Sequence, residues 1–110
     1  MRVILMSTPD FGRPTLRALL DRGYDVVGLI CQPDKPAGRG RRLTPPPMKQ
    51  VALAWGVPVL QPVSLSTAEV RQQVSALRPD LILVAAYGKF IPDTILELAP
   101  IGALNLHPSL

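Results

Sequence analysis

Residues 80–86, Asp-Leu-Ile-Leu-Val-Ala-Ala, contain the strongest strand signal in this chain of 110 residues. Its apolar residues follow one another without a polar break, which is typical of a short strand buried on both faces of a parallel sheet. Shorter apolar runs predict four more strands, at 3–6, 25–31, 57–60 and 103–106. Pro58 has no backbone N–H to donate, so the strand that contains it belongs at an edge of the sheet.

Segments with helical spacing stand between these strands, at 11–22, 47–55, 67–77 and 93–98. Residues 7–10 offer several side chains that could cap the first of these helices. Strands that alternate with helices predict an α/β fold with a Rossmann-like, mostly parallel sheet. Because ligands of such sheets bind outside the carboxyl ends of the strands, functional residues are expected in 7–12, 87–92 and 105–110.

Composition sets the broad class of protein. Apolar residues make up 47% and charged residues 18% of the chain, which is typical of one globular domain. One cysteine excludes a disulfide framework within the chain. The longest apolar run, residues 81–87, is far shorter than the ~18 residues that span a bilayer. We therefore expect a cytoplasmic protein with no membrane partner.

Missing motifs argue against several cofactor classes. The turn after the first strand, residues 7–12, has one glycine and one proline, so it lacks the Gly-x-Gly-x-x-Gly pattern that cradles a dinucleotide pyrophosphate. The Gly-x-x-x-x-Gly-Lys-Ser/Thr loop of nucleotide triphosphatases is also missing from the sequence. With one histidine, His107, and one cysteine, Cys31, carboxylates would have to complete any metal site, and we expect none.

The formal charge of +4 lies in one segment. Residues 34–49 contain five of the 12 basic residues and one of the eight acidic residues, and the rest of the chain is neutral. Prolines and glycines interrupt the same segment. We therefore predict a basic insertion loop at 33–47, which either binds a polyanion or is a solvated surface loop.

Asn105 and His107 are the candidate catalytic pair. They stand two residues apart at the end of the last predicted strand, so both belong to one face of the sheet. A carboxamide can donate a hydrogen bond to a developing oxyanion and an imidazole can move protons, which suits acyl transfer. On spacing alone the alternative stays open, in which Asn105 ends the strand and His107 is an ordinary surface residue.

Five blocks of sequence, spread over the whole chain, carry a family resemblance. They are Ser-Thr-Pro-Asp-Phe at 7–11, Gln-Pro-Asp-Lys-Pro-Ala-Gly-Arg-Gly-Arg-Arg-Leu at 32–43, Leu-Gln-Pro-Val-Ser-Leu at 60–65, Val-Ala-Ala-Tyr-Gly at 84–88 and Asn-Leu-His-Pro-Ser-Leu at 105–110. In this register they resemble the N-terminal part of the methionyl-tRNA formyltransferase family. The resemblance implies a Rossmann-like parallel sheet of the formyltransferase type, truncated after about five strands.

The resemblance implies an enzyme of translation initiation, which transfers a formyl group from 10-formyltetrahydrofolate to the amino group of methionyl initiator tRNA. The family uses an Asn, a His and an Asp, and its mechanism needs no metal. Asn105 and His107 match the first two, whereas no acidic residue of this chain matches the third.

The two substrate sites are also implied by the resemblance. The implied folate-binding residues are Tyr87, Gly88, Phe90, Ile91, Ser109 and Leu110. For Phe90 and Ile91, packing in the hydrophobic core is an equally good interpretation. The implied tRNA-binding residues lie in the basic loop and are Lys35, Arg39, Arg41 and Arg42. Cationic side chains suit contacts with RNA phosphates, and the glycines of the loop would let it order only on binding.

Two other hypotheses remain open. One is a related folate-dependent formyltransferase or formyl-folate hydrolase that acts on a small molecule, and the other is a non-catalytic RNA-binding module. The basic loop separates the first of them from the tRNA interpretation, because a small acceptor gives no reason for such a loop. The RNA-binding module would use the same loop, and folate binding by the full-length protein separates it from the enzyme.

Residues 1–110 correspond to the N-terminal portion of the family's catalytic domain, and the family's C-terminal tRNA-binding domain is absent from the sequence. We therefore expect a fragment that ends inside the active-site motif, is inactive alone and belongs to a protein that is a monomer when intact. The last strand is expected to form an unpaired edge that exposes apolar residues.

Overall fold

The computed structural model describes residues 1–107 and places five parallel strands in one sheet. The elements in chain order are β1 (Arg2–Met6), α1 (Arg13–Asp21), β2 (Asp25–Ile30), β3 (Lys35–Ala37), β4 (Arg42–Thr44), α2 (Pro47–Ala54), β5 (Val59–Leu60), α3 (Ala68–Ala76), β6 (Leu81–Ala85), α4 (Asp93–Leu96) and β7 (Gly102–Leu106). The sheet has the order β5-β2-β1-β6-β7, and β3 and β4 form a separate hairpin. The predicted α/β architecture is confirmed, including the edge position of β5.

β1 is the central strand and is hydrogen-bonded on both sides. It pairs in parallel with β2 and with β6, and its residues 3–6 have no exposed surface. Val3 and Leu5 belong to one hydrophobic cluster and Ile4 and Met6 to the other, as the two-residue period of a strand requires. α1 and α2 cover the first face, and α3 and α4 cover the second. This burial on both faces explains the uninterrupted apolar runs in the sequence.

The helices are short and are held mainly by the sheet. Leu16 of α1 and Val74 of α3 are fully buried. α1 also contacts the residue that follows α2, because the guanidinium of Arg17 lies 4.6 Å from the ring centre of Trp55. Within residues 1–107, the helices lack the combined length and hydropathy that crossing a membrane requires.

The turn after β1 differs from the prediction. Asp10–Gly12 form a 3-10 turn, so the α-helix begins at Arg13 and not at residue 11. Its expected caps do not cap it. Ser7 and Thr8 instead donate their hydroxyl hydrogens to the carbonyls of Ala85 and Tyr87. These partners are far away in the sequence, so a local capping pattern could not reveal them.

The basic segment forms a hairpin and not an open loop. β3 and β4 pair antiparallel, with Ala37 opposite Arg42 next to the turn. The turn requires positive φ angles, which Gly38 and Gly40 adopt at 70° and 85°. The expectation that this segment orders only on binding is therefore wrong, because its two arms already pair in the chain alone.

β7 forms the other edge of the sheet. It pairs with β6 in register over its whole length, and β6 is its one neighbour among the described strands. Leu104 is 57% exposed, and Ile101 just before the strand is 62% exposed. The expectation of an unpaired edge with exposed apolar side chains is confirmed for the described part of the chain.

Gly12 provides a test of the packing after β1. A Cβ atom at this position would overlap Ser7 Oγ and lie 2.8 Å from Ser7 Cβ, and Ser7 is fully buried. We expect Gly12→Ala to lower the free energy of unfolding in urea by roughly 1–3 kcal/mol, the usual cost of overpacking. In a Ser7→Gly background the same change should cost less. An equal cost in both backgrounds would contradict the proposed overlap.

Candidate functional site

A cleft of about 680 Å³ opens at the carboxyl ends of β6 and β7. It is lined by the loop 86–91, by residues 103–107, and by Val84 and Leu96. Its volume lies within the range of about 300–1,000 Å³ that small-molecule sites occupy. The cleft stands where sequence analysis expected ligands of a parallel sheet.

Asn105 and His107 both line this cleft and are both exposed. Asn105 pairs with Val84 in the parallel register, and Leu106 pairs with Ala85, so the two strands end together. His107 follows immediately. Both residues therefore lie at the carboxyl end of β7, beside the loop that leaves β6.

The loop after β6 contributes a buried and an exposed aromatic residue. Tyr87 is 2% exposed, whereas Phe90 is 85% exposed. Phe90 is thus not a core residue, although it lines the cleft, and Ile91 both lines the cleft and packs against the core. Gly88 lines the cleft with a positive φ of 98°. Ser109 and Leu110, the other residues expected to bind folate, lie outside the described residues.

Two buried side-chain polar atoms have no hydrogen-bond partner within residues 1–107. They are Oη of Tyr87 and Oε1 of Gln32. Burial raises the pKa of the Tyr87 phenol above its ordinary value of 10.0, and the neighbouring Cys31 adds to the rise. The phenol is therefore neutral at physiological pH and has a hydrogen available for a ligand or a water molecule.

The hairpin carries the charge of the chain. Its four cationic side chains are exposed and take part in none of the four ion pairs between described residues: Lys35, Arg39, Arg41 and Arg42. The remaining charges of the basic segment neutralise each other, because Lys49 Nζ lies 3.1 Å from Asp34 Oδ1. The structure thus separates four free cations from a fixed ion pair at the base of the hairpin.

Asp34 anchors this base. Its carboxylate accepts hydrogen bonds from Gln61 at 2.7 Å and from Lys49 at 3.1 Å. These two hydrogen bonds, that of Gln61 first, hold the pKa of Asp34 below its ordinary value of 3.8. The stem of the hairpin, meaning residues 32–34 before it and 45–49 after it, therefore carries an ion pair at neutral pH.

Sequence analysis did not single out four further residues here, although Thr8 and Lys89 lie in segments where it expected functional residues. Lys89 and Leu104 line the cleft. The side chains of Thr8 and Gln32 both donate hydrogen bonds to the carbonyl of Tyr87, in the loop that follows β6. The two hydroxyl residues after the central strand, Ser7 and Thr8, were the available signal, but they were interpreted as helix caps. Among residues 1–107, no group of three His, Cys, Asp or Glu side chains is arranged to hold a metal ion.

Known proteins resemble the chain over its full length. A family model described as formyl transferase matches residues 1–110. The chain is 52% identical over 110 residues to the methionyl-tRNA formyltransferase of Marinobacter nauticus. The aligned region covers 100% of this chain and 35% of that protein. For the proteins of the same name from Trichlorobacter lovleyi and Bacillus subtilis, the identities are 51% and 49% over 109 residues, 99% of this chain and 34% of theirs. The chain thus spans about a third of the length of these curated relatives.

A solved structure supports the fold. The crystal structure of glycinamide ribonucleotide transformylase 1 from Geobacillus kaustophilus matches with a TM-score of 0.67, over 99% of this chain and 58% of that one. At 22% sequence identity, this similarity establishes the formyltransferase type of fold alone.

The reactivity of Cys31 tests the burial of the residues behind the hairpin. Burial raises the pKa of its thiol from 9.0 to about 11, with Lys49 opposing the rise and Asp34 adding to it. Because the thiolate is the reactive form, we expect iodoacetamide at pH 8 to modify Cys31 at least ~100-fold more slowly in the native protein than in urea. Mass spectrometry of the Cys31 peptide measures both rates, and equal rates would contradict this burial.

Proposed function

Since the chain belongs to the formyl transferase family, we propose that the protein of which it forms the N-terminal part transfers a formyl group from 10-formyltetrahydrofolate to methionyl initiator tRNA. One observation carries this proposal: Asn105 and His107 line a cleft at the same edge of the sheet from which the basic hairpin leaves. This arrangement supports a site for a small donor and a surface for a polyanionic acceptor at the carboxyl ends of the same sheet.

The catalytic roles follow from the chemistry of acyl transfer. The amine nitrogen of the methionyl group attacks the formyl carbon, a new C–N bond forms, and the formyl oxygen gains negative charge. Asn105 donates hydrogen bonds to this oxygen, and His107 donates to it or shuttles the proton that passes from the amine to the leaving nitrogen. The C–N bond of the donor then breaks. The resemblance also implies an acidic residue that orients the imidazole, and no residue of 1–110 matches it.

The cleft suits the folate donor. Its walls combine the apolar side chains of Phe90, Ile91 and Leu96 with the backbone of the loop around Gly88, which can approach a planar ring closely. Tyr87, whose buried hydroxyl has no partner within residues 1–107, also lines the cleft. We propose that these residues hold the donor together with Ser109 and Leu110.

The hairpin suits the acceptor. Phosphate groups of RNA are bound by exposed cations that release counterions, and arginine can also stack on an unpaired base. Lys35, Arg39, Arg41 and Arg42 provide four such cations on a small antiparallel hairpin. We propose that they contact the acceptor end of the tRNA.

The catalytic pair is tested by Asn105→Ala and His107→Ala in the full-length protein. We expect each change to lower kcat for formyl-methionyl-tRNA formation about 100- to 1,000-fold, the usual cost of losing an oxyanion donor or a proton shuttle. Binding of tetrahydrofolate should change little. Gln72→Ala, which removes an exposed carboxamide from α3, serves as the control and should retain wild-type kcat. Wild-type kcat in both site variants would refute the assignment.

The acceptor is tested by replacing Arg39, Arg41 and Arg42 together with alanine. We expect KM for methionyl-tRNA to rise about 10-fold or more and its salt dependence to flatten, while tetrahydrofolate binding is unchanged. The matched control replaces three exposed arginines elsewhere: Arg22, Arg71 and Arg78. If the hairpin variant behaves like the control, the tRNA surface is wrong and a small-molecule acceptor is favoured.

A further inference from the structure

Thr8, the second residue after β1, makes four hydrogen bonds. Its amide donates to the carbonyl of Ala86 at 3.1 Å, and its Oγ1 donates to the carbonyl of Tyr87 at 2.6 Å. The same Oγ1 accepts from the amide of Gln32 at 3.3 Å, and its carbonyl accepts from the amide of Met48 at 3.2 Å. No part of the proposed chemistry uses this half-buried side chain.

Two of these bonds fix the loop that lines the cleft. Ala86 has a φ of 62°, a left-handed conformation that costs an alanine about 1 kcal/mol or more. The loop keeps this conformation because successive carbonyls are held from outside: Ser7 binds that of Ala85, and Thr8 binds those of Ala86 and Tyr87. Gln32 Nε2 adds a second donor to the Tyr87 carbonyl at 3.2 Å.

The other two bonds fix the hairpin. Gln32 stands just before the hairpin and Met48 stands just after it, in the first turn of α2. Both ends of the basic segment are thus attached to the backbone or hydroxyl of one residue, Thr8. Any shift of the hairpin stem is transmitted to the same side chain that holds the strained loop of the cleft.

We propose that Thr8 is a positioning residue that couples occupation of the basic hairpin to the shape of the cleft. Nucleic acid on the hairpin fixes its stem, the stem fixes Thr8, and Thr8 stabilises the left-handed conformation at Ala86 in which the cleft is formed. The consequence is a mutual increase in affinity, because coupling between two sites is reciprocal. This inference rests on the proposed function, which supplies the two ligands.

The test measures the dissociation constant of tetrahydrofolate, which lacks the formyl group and cannot react, with and without saturating methionyl-tRNA in the full-length protein. We expect tRNA to tighten tetrahydrofolate binding about fivefold or more, the lower end of typical coupling. Thr8→Val keeps the shape and both backbone bonds and removes the hydroxyl. In this variant the ratio of the two constants should fall towards one, and Thr8→Ser should restore it.

A control separates coupling from loss of stability. Thr67→Val removes another threonine hydroxyl, which accepts from the amide of Val70 at the start of α3, and should leave the ratio at its wild-type value. Gln32→Met removes the second donor to the Tyr87 carbonyl while Thr8 is unchanged, and it should also reduce the ratio. This variant decides the question if Thr8→Val does not fold.

The outcomes distinguish this inference from the proposed function. If the wild-type protein binds both ligands with a ratio of one, or if Thr8→Val or Gln32→Met keeps the wild-type ratio, the coupling is refuted and the proposed function stands. If the wild-type protein does not bind tetrahydrofolate, the proposed function is refuted, and the coupling with it.

Discussion

Backbone hydrogen bonds hold β1 between β2 and β6, and the position of every functional segment depends on this pairing. Because the three strands run parallel, their carboxyl ends meet at one edge of the sheet. Thr8 follows the first strand, the stem of the hairpin follows the second and the loop of the cleft follows the third. Residues as distant in sequence as Thr8 and Tyr87 are thereby brought into direct hydrogen-bond contact.

Beyond this edge the ladder of the sheet ends, and its carbonyl groups need other donors. A buried carbonyl without a hydrogen-bond partner lowers the stability of the fold. Side chains that follow the neighbouring strands therefore donate the missing hydrogen bonds. Ser7 serves Ala85 in this way, and Thr8 and Gln32 both serve Tyr87. These side-chain hydrogen bonds therefore hold the loop after β6 in a defined position relative to the sheet, although the loop has no regular secondary structure.

The sequence is sufficient for features that depend on local pattern and insufficient for those that depend on distant partners. Burial on both faces made β1 and β6 visible as apolar runs, and two-residue spacing placed Asn105 and His107 on one face. The hairpin was missed because its strands are three residues long and contain proline and arginine, so pairing depends on the turn. Neither could the sequence distinguish a buried Tyr87 from an exposed Phe90, since both are aromatic residues of one loop.

The cationic side chains and Asn105 lie on different kinds of structure, a small hairpin and a strand of the sheet, because the interactions proposed for them differ in range and in the precision they require. Attraction between cations and phosphates is long-ranged and tolerates small displacements, so the arginines can stand on a hairpin closed by Gly38 and Gly40. Stabilisation of an oxyanion, the role proposed for Asn105, requires donors that are fixed before the reaction begins, and Asn105 lies on a strand paired in register with β6. A charged surface on a small hairpin and a fixed donor on a sheet edge can work on one acceptor only if their relative position is also fixed. The hydrogen bonds of Thr8 to both segments supply this connection.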